Sequence, residues 1–383
     1  MNTHTTIKNA IPPLYALFTA MSTSIGMGTI VGPSIAILTG GPGALFWLLI
    51  YIFIGSIIKF VEVTFSVHLR SSTPDGRILG GPMQYLKFVN PWLASWYTGA
   101  SIILFAGWSG LQANVLGELL HEEGIPLWLT GIVLALIIFF LLRGGAERVG
   151  KFNSRLVPIM CVLYLSVIML ILLLNSDKLI SALLLIGRSI FGMPALIGGA
   201  LAFPFLATFQ AGMYKGAFIT EAGMGTAAIP HAFAQVNHPT DQGSLAMTSM
   251  YIDMLLCALS GLVILITNSW HTSTINNTIM YHIFSDYLPF FGKPFLLLSL
   301  ALFVLGTALG NSYNGRQSFA SITGYRWLLA YNIFICFVIS LGSIIEVPLA
   351  WTIMDCLLPL VAIPHIIGLI ILSIKYAALF QGQ

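Results

Sequence analysis

Long apolar runs, separated by short polar or charged breaks, dominate this sequence of 383 residues. An apolar run of roughly 18 residues or more is long enough to cross a bilayer as a helix. Only 8% of the residues are charged and the mean hydropathy is +0.92, whereas soluble domains carry about 25% charged residues. These features exclude a soluble globular protein and predict an all-α protein that crosses the membrane many times.

The breaks divide the chain into ten apolar segments, which we predict to be ten transmembrane helices of a single membrane domain over residues 1–383. The segments are residues 11–38, 42–69, 93–119, 126–142, 155–175, 189–230, 242–268, 290–322, 326–343 and 350–374. The sixth and eighth are too long for one simple crossing. We therefore expect an interruption or a re-entrant turn in each of them.

Lysine and arginine residues are distributed unevenly between the loops. With the N-terminus placed inside, eleven lie on the inner side and three on the outer side, while Lys59 and Lys215 lie within apolar segments. Cytoplasmic loops are enriched in these residues, so the distribution predicts a multi-pass plasma (inner) membrane protein with both termini cytoplasmic. A net charge of +3 without a basic block gives no indication of nucleic-acid binding.

Two short motifs interrupt apolar segments at matching places. GMGTIVGP at residues 26–33 and GMGTAAIP at residues 223–230 share five of eight letters and lie 197 positions apart. Glycine and proline weaken helices, and a break in mid-membrane is tolerated only inside protein or around a wet cavity. The motifs lie in the first and sixth segments. We therefore predict two five-helix repeats of opposite orientation, about 11–175 and about 189–374, each beginning with a broken helix.

Paired interrupted helices in inverted repeats are typical of secondary transporters, in which they form the binding site. Glycine lets bare amides approach an anion at the start of a half-helix, and freed carbonyls can face a cation. Close packing of glycine-rich helices is an alternative reason for the glycines. That alternative does not explain their matched positions, so the pattern favours transport.

Several charged residues lie within apolar segments, where a charge at the helix centre costs ~2.5–3.5 kcal/mol. Lys59 precedes Glu62 by three residues, which predicts an internal ion pair on one helix face. Glu221 adjoins the second motif, where it can cap freed amides or tune cation binding. Asp253, in the middle of the seventh segment, leaves the same two alternatives open, a coupling role or a structural one.

One motif points to a different class of protein. GWSG at residues 107–110 matches the G-x-S-G pattern of intramembrane serine proteases, with Ser109 as nucleophile and His365 as its base. Four letters recur by chance, and protease chemistry leaves both GMGT motifs unexplained. The sequence contains no H-E-x-x-H or P-loop motif. It therefore favours a transporter over an enzyme.

Six stretches resemble the sodium:alanine/glycine symporter family, in register over nearly the whole chain. They are ALFTAMSTSIGMGTIVGPSIAILTGGPGALFWLL (16–49), GGPMQYL (80–86), LQAN (111–114), KGAFITEAGMGTAAIPHA (215–232), YIDMLLCALSGLVILIT (251–267) and LGNSYNG (309–315). The resemblance implies a LeuT-type fold with ten helices in a 5+5 inverted repeat. It also implies alternating access, with a sodium gradient driving uptake of alanine or glycine into the cytoplasm. A diverged member with another small substrate or with proton coupling is the alternative.

The resemblance also implies site residues. Family positions that line the substrate correspond to Gly26, Met27, Gly28, Gln112, Thr220, Thr307 and Asn311. Sodium would bind the carbonyls of Ser22 and Ile25 and the hydroxyl of Thr307, because a hard cation takes oxygen ligands. We expect no resident cofactor, since sodium is co-transported. The expected partners are a small amino acid, sodium and the lipid bilayer, and the protein is expected to function as a monomer.

Four positions depart from the family pattern. Met27 stands where the family has threonine or a similar small polar residue, Thr220 replaces an asparagine, Asn311 replaces a tryptophan and Arg316 replaces a glutamate. A lost tryptophan at the substrate wall predicts a larger or wetter pocket. The preference among small amino acids is therefore the property that we expect to differ.

Overall fold

The structure, a computed structural model, describes residues 10–73, 76–193, 203–271 and 279–380. It is built almost entirely from helices. In the first half of the chain these are α1 (Pro13–Ser24), α2 (Met27–Gly40), α3 (Ala44–His68), α4 (Pro82–Tyr85), α5 (Pro91–His121), α6 (Leu127–Leu142) and α7 (Gly145–Leu174). Strands β1 (Ser71–Ser72) and β2 (Ile78–Leu79) form a small antiparallel pair between α3 and α4.

The second half begins with α8 (Leu179–Ser189) and a second antiparallel pair, β3 (Gly192–Met193) with β4 (Phe203–Pro204). The helices that follow are α9 (Phe205–Thr220), α10 (Ala228–His231), α11 (Pro239–Ile266), α12 (Ile279–Tyr287), α13 (Gly292–Thr323), α14 (Leu328–Gly342) and α15 (Val347–Lys375). Short 3₁₀ turns occupy Leu86–Phe88, Ser176–Lys178, Ser269–His271, Gly324–Trp327 and Ala377–Phe380. Part of the predicted sixth segment, residues 194–202, lies outside the described residues.

Seven helical stretches of the described residues are long and apolar enough to cross a membrane. They are Pro13–Gly40, Ala44–His68, Pro91–His121, Gly145–Leu174, Pro239–Ile266, Gly292–Gly342 and Pro348–Lys375. A shorter apolar helix, α6, lies between the third and fourth of them. A helical membrane protein is thereby confirmed, whereas ten crossings in two groups of five stay a prediction.

Helix ends follow the local sequence. Asn90 caps α5 by accepting a hydrogen bond from the Trp92 amide at 2.8 Å, and Pro91 occupies the first helical position. Gly41 ends α2 with φ of 77°, a conformation that favours glycine. Helix α7 begins ten residues before the predicted fifth segment. Its first turns are polar, with Lys151 and Arg155 exposed and Asn153 buried, so the apolar run alone does not mark where the helix begins.

Both predicted interruptions near the GMGT motifs are present, between α1 and α2 and between α9 and α10. The expected interruption of the eighth segment was wrong, because α13 is one continuous helix of 32 residues. The glycines of α13 serve close packing instead. A Cβ on Gly310 would stand 2.7 Å from the Ser22 hydroxyl oxygen of α1.

The broken first helix lies in the interior of the fold. In Pro13–Gly40, 78% of the most apolar window is buried, compared with 33% in Pro348–Lys375. Helix α1 packs against α7 and α13, and α2 packs against α9 and α11. The outer helix α15 exposes Ile363, Ile367, Ile370 and Ile374. The break is therefore shielded by protein, as backbone polar groups at membrane depth require.

Candidate functional site

The first interruption separates α1 from α2 by two residues. The Ile25 amide donates to the Met21 carbonyl at 2.7 Å, and Gly26 is extended with φ of −140°. The Thr307 hydroxyl of α13 donates to the Ile25 carbonyl at 3.3 Å, and a Cβ on Gly26 would collide with that hydroxyl. Gly26 therefore permits the close approach of α13. The break also leaves the first amides of α2 without helical acceptors.

A small cavity with about 20 Å³ of free space lies beside the first break. That space is about the size of one water molecule, so an amino acid would bind here only after the cavity opens. Trp108, Phe218 and Ile219 provide an apolar wall, and the other lining residues contribute polar groups or bare backbone. The full lining is Thr23, Ser24, Gly26, Gly28, Trp108, Gln112, Phe218, Ile219, Glu221, Thr307 and Asn311.

Three polar side chains of this cavity are buried with hydrogen-bonding atoms left unpaired. Gln112 is 7% exposed, Glu221 is 4% exposed and Asn311 is 1% exposed. Gln112 Oε1, Glu221 Oε2 and both Oδ1 and Nδ2 of Asn311 have no hydrogen-bond partner. A buried donor or acceptor without a partner costs about 1–3 kcal/mol. The cavity is therefore built to receive a polar molecule.

The second interruption is longer and covers residues 221–227, between α9 and α10. Glu221, Gly223 and Gly225 have φ of 54°, 87° and 76°. The two glycines adopt the left-handed region without strain, because they lack a Cβ. The second interruption thus contains three residues in the left-handed region, whereas the first interruption consists of only two residues, Ile25 and Gly26.

Side chains from other helices satisfy the backbone of the second interruption. The Gly223 amide donates to Glu62 Oε1 at 2.6 Å. Five carbonyls of this stretch each contact a side-chain donor. The pairs are Thr220 with Lys59 Nζ (2.9 Å), Ala222 with the Tyr51 hydroxyl (3.2 Å), Gly223 with His365 Nδ1 (2.7 Å), Met224 with the Tyr97 hydroxyl (2.6 Å) and Thr226 with Asn314 Nδ2 (3.1 Å).

Asp253 of α11 faces the first break. Its buried carboxyl group lies beside the hydroxyls of Ser24 and Thr29 without a well-aligned hydrogen bond to either. Thr29 Oγ1 instead donates to the Ser24 carbonyl at 3.0 Å, and Ser24 Oγ points to the Met21 carbonyl at 3.5 Å. The two hydroxyls thus have backbone acceptors in addition to the carboxylate beside them. Such an arrangement of oxygens suits a cation.

Six of the eleven predicted site residues line the cavity, namely Gly26, Gly28, Gln112, Thr307, Asn311 and Glu221. The other five lie close to the breaks but outside the lining, and the roles of all eleven stay predictions. Met27 packs into the hydrophobic core, and the Thr220 hydroxyl donates to the Gly216 carbonyl at 2.8 Å. The Ser22 hydroxyl donates to Thr19 and accepts from Asn153. Ile25 and Asp253 have the contacts given above.

Five lining residues were not predicted from the sequence, namely Thr23, Ser24, Trp108, Phe218 and Ile219. Trp108 precedes Gln112 by four residues on α5, so helical periodicity alone places the two on one face. Phe218 and Ile219 belong to the last turn before the second break. Proximity to the GMGT motifs was the available signal for the others.

Two predicted pairings are replaced by other contacts. Lys59 and Glu62 do not form a direct ion pair, because the ammonium binds the Thr220 carbonyl and the carboxylate binds the Gly223 amide. The protease pair is also not formed. The Ser109 hydroxyl contacts the Phe105 carbonyl and Ser312, whereas His365 contacts the Gly223 carbonyl and Tyr85. Nucleophile and base would have to be within hydrogen-bond reach of each other.

Comparisons with known proteins identify the family of the chain. The profile of the Sodium:alanine symporter family matches residues 1–381. The sodium/alanine symporter AgcS of Methanococcus maripaludis is 31% identical over 386 residues, which cover 96% of this chain and 83% of AgcS. The probable sodium/glutamine symporter GlnT of Bacillus subtilis is 29% identical over 373 residues, which cover 96% of this chain and 77% of GlnT.

A solved structure with the same architecture is the crystal structure of MhsT in complex with L-phenylalanine. The TM-score is 0.70 at 14% sequence identity, and the superposition covers 95% of this chain and 89% of that chain. MhsT is a LeuT-fold transporter. At this identity the similarity shows the fold of the present chain, and not its substrate.

Proposed function

Because the chain belongs to the sodium:alanine symporter family, we propose that it carries a small neutral amino acid, alanine or glycine, into the cytoplasm together with sodium. The protein is a transporter and not an enzyme. The observation that carries the proposal is the cavity at the first break, where bare half-helix backbone at Gly26 and Gly28 meets unpaired polar side chains. Alternating access would expose this cavity first to one side of the membrane and then to the other.

The proposed arrangement has ten crossings in two inverted repeats, about 11–175 and about 189–374, with both termini in the cytoplasm of the plasma membrane. Each repeat would begin with an interrupted helix. Residues from both interruptions, Gly26 of the first and Glu221 of the second, contribute to one cavity. This supports a binding site at the interface between the repeats, as inverted-repeat transporters have it.

The start of α2 is the proposed site for the substrate carboxylate. Helix N-termini carry partial positive charge and present free amides, which favours an anion. The amides of Met27 and Gly28 belong to this first turn. Gly28 lines the cavity without a side chain that would separate the backbone from the substrate.

Two groups of oxygen atoms are proposed to hold sodium. The first is the predicted one, the carbonyls of Ser22 and Ile25 with the Thr307 hydroxyl. The second is the Asp253 carboxylate with the hydroxyl oxygens of Ser24 and Thr29 beside it. Sodium in either place would stabilise the chain between α1 and α2. It would thereby raise the affinity for the substrate carboxylate at the start of α2.

Uptake by the purified full-length protein in liposomes tests the proposal. Labelled alanine and glycine are supplied outside under an inward sodium gradient, with potassium and proton gradients of equal size as controls. We expect accumulation with sodium only. A flux driven by protons alone would replace the proposal with proton coupling through a buried carboxyl group. In that case Glu221→Gln abolishes uptake, whereas sodium coupling through backbone carbonyls survives this substitution, because the glutamine carbonyl still accepts a hydrogen bond from the substrate ammonium group.

A further inference from the structure

Asn311 is the most unusual polar residue of the cavity. It lies on α13, is 1% exposed, and leaves both its amide donor and its carbonyl acceptor unpaired. Two other buried asparagines use their amide donors, although their Oδ1 atoms are also unpaired. Asn114 Nδ2 donates to the Gly342 carbonyl at 3.0 Å, and Asn314 Nδ2 donates to the Thr226 carbonyl at 3.1 Å. An unused carboxamide that lines a cavity indicates a ligand group that both donates and accepts.

Starting from the proposed symport function, we infer that this site selects a neutral amino acid whose side chain ends in a carboxamide. Asparagine and glutamine are such substrates, and they would bind more tightly than alanine or glycine. Asn311 supplies one donor group and one acceptor, and Gln112 supplies a second buried acceptor at its unpaired Oε1. A carboxamide offers the complementary set, an NH₂ donor and a carbonyl acceptor.

The selectivity follows from the unpaired groups. An alanine methyl group would leave the carboxamide of Asn311 and the Gln112 carbonyl buried without partners. A substrate carboxamide would pair with both. Sites that hydrogen-bond a substrate group reject analogues without that group strongly, because their own polar atoms then stay unsatisfied. A charged side chain is disfavoured for a different reason, since Asn311 and Gln112 offer it no counter-charge.

The remaining cavity groups can bind the other parts of such a substrate, its α-ammonium group, its α-carboxylate and its methylene groups. The unpaired Glu221 Oε2 is an acceptor for the α-ammonium group. The start of α2 is the proposed place of the α-carboxylate. Trp108 and Phe218 offer an apolar surface for the methylene groups of the side chain. Every unpaired cavity atom then has a complementary group on one molecule.

Competition binding on the purified full-length protein in sodium-containing detergent buffer tests the inference directly. Labelled alanine is displaced by unlabelled glycine, alanine, serine, asparagine and glutamine. We expect asparagine or glutamine to displace it at concentrations about 10-fold lower than alanine, which corresponds to about 1.4 kcal/mol. The variant Asn311→Leu keeps a similar volume without the polar group, and it should bring the displacing concentrations of asparagine and glutamine to that of alanine or above.

Asn332→Leu is the matched control. Asn332 of α14 is also buried, with an unpaired Oδ1, but it does not line the cavity. The carboxamide preference should therefore persist in this variant. If Asn332→Leu removed the preference as well, the effect would be a general loss of packing and the inference would be overturned. If Asn311→Leu does not fold, Asn311→Ala replaces it with the same expected loss of preference.

Binding and uptake together separate the two proposals. Sodium-driven alanine uptake without a carboxamide preference would overturn this inference and leave the symport function intact. Carboxamide-selective binding that Asn311→Leu abolishes would support the inference even where no sodium-driven uptake is measured, and the coupling proposal alone would then fail. Binding of no neutral amino acid at all would overturn both.

Discussion

At the first helix break two residues leave the helical path beside a cavity, whereas at the second break seven residues leave it and other helices occupy their carbonyls. The letters GMGT occur at both places. The glycines nevertheless act differently. Gly26 has an extended backbone and is needed because Thr307 of α13 approaches it closely, whereas Gly223 and Gly225 have positive φ.

The surroundings of the breaks differ as much as their backbones. Glu62, Tyr51, Tyr97, His365 and Asn314 hold the second break from α3, α5, α13 and α15. The first break has one such side-chain contact from another helix to its backbone, Thr307 to Ile25, among the described residues. The second break is thus held in place by its neighbours, whereas the first has fewer contacts that would oppose a change of conformation on ligand binding. The same motif can thus provide a left-handed backbone at one break and permit the close approach of a neighbouring helix at the other.

The comparison predicts the largest effect for Gly225→Ala, which should prevent stable folding. Its φ of 76° costs a residue with a side chain roughly 1–2 kcal/mol. The new Cβ would also stand 2.8 Å from His365 Nε2 and 2.9 Å from the Tyr97 hydroxyl, and overpacking costs about 1–3 kcal/mol more. We expect loss of the monodisperse peak in size-exclusion chromatography or a large fall in the apparent Tm.

Gly324→Ala is the control for this experiment. Gly324 also has a positive φ, 67°, but no heavy atom lies within 4 Å of a Cβ built on it. Only the backbone contribution should remain, about 1–3 kcal/mol for a side chain at φ of 67° and ψ of −171°. Equal effects of the two substitutions would show that the second break is not tightly held by its neighbours.

A smaller effect is expected when one side-chain hydrogen bond to the second break is removed. Glu62→Ala leaves the buried Gly223 amide without its acceptor, and a hydrogen bond to a charged group contributes about 1.5–3 kcal/mol. Glu62→Gln keeps an acceptor oxygen at nearly the same place. The apparent Tm should therefore fall clearly for the alanine variant and only slightly for the glutamine variant. Equal falls for the two variants would mean that the charge, and not the hydrogen bond, stabilises the break.

The sequence predicted the position of both breaks, because glycine and proline leave a local signature in an apolar segment. It did not predict how the second break is held. Tyr51, Tyr97 and His365 reach it from positions more than 100 residues away, and no local pattern marks a distant donor. The expected break in α13 was wrong because it was based on the length of the eighth segment alone. A long apolar helix can instead tilt in the bilayer, and α13 stays continuous over 32 residues.

Part of the cavity was also predictable. The resemblance to a known family indicated Gln112, Thr307 and Asn311, which do line it. It could not indicate that Asn311 lacks a hydrogen-bond partner, because the neighbours of a buried side chain come from separate helices. For the same reason the expected Lys59–Glu62 ion pair was wrong. Helical spacing brings the two residues together, but the second break offers each of them a partner.

Gly28→Ala should give a smaller effect of a different kind. A Cβ at this position would lie 3.6 Å from the Phe218 ring, an ordinary contact, and the backbone needs no positive φ. The apparent Tm should therefore stay close to that of the wild type. The methyl group enters the cavity, however, and should weaken alanine binding about 10-fold, or about 1.4 kcal/mol. In Gly99→Ala, a site with open space around the added Cβ, both stability and binding should be unchanged.

The smallest expected effect concerns the contact of the Thr307 side chain of α13 with the first break. Thr307→Val keeps the shape of the side chain but removes the hydroxyl that contacts the Ile25 carbonyl at 3.3 Å. Since a hydrogen bond or ligand of this kind contributes about 0.5–1.5 kcal/mol, the sodium concentration for half-maximal alanine uptake should rise about 3- to 10-fold. Thr307→Ser retains the hydroxyl and should stay close to the wild type. If valine and serine gave the same sodium dependence, the ion would not bind at Thr307. The Asp253 carboxylate with Ser24 and Thr29 would then be the remaining place for it, and the first break would respond to sodium through α11 instead of α13.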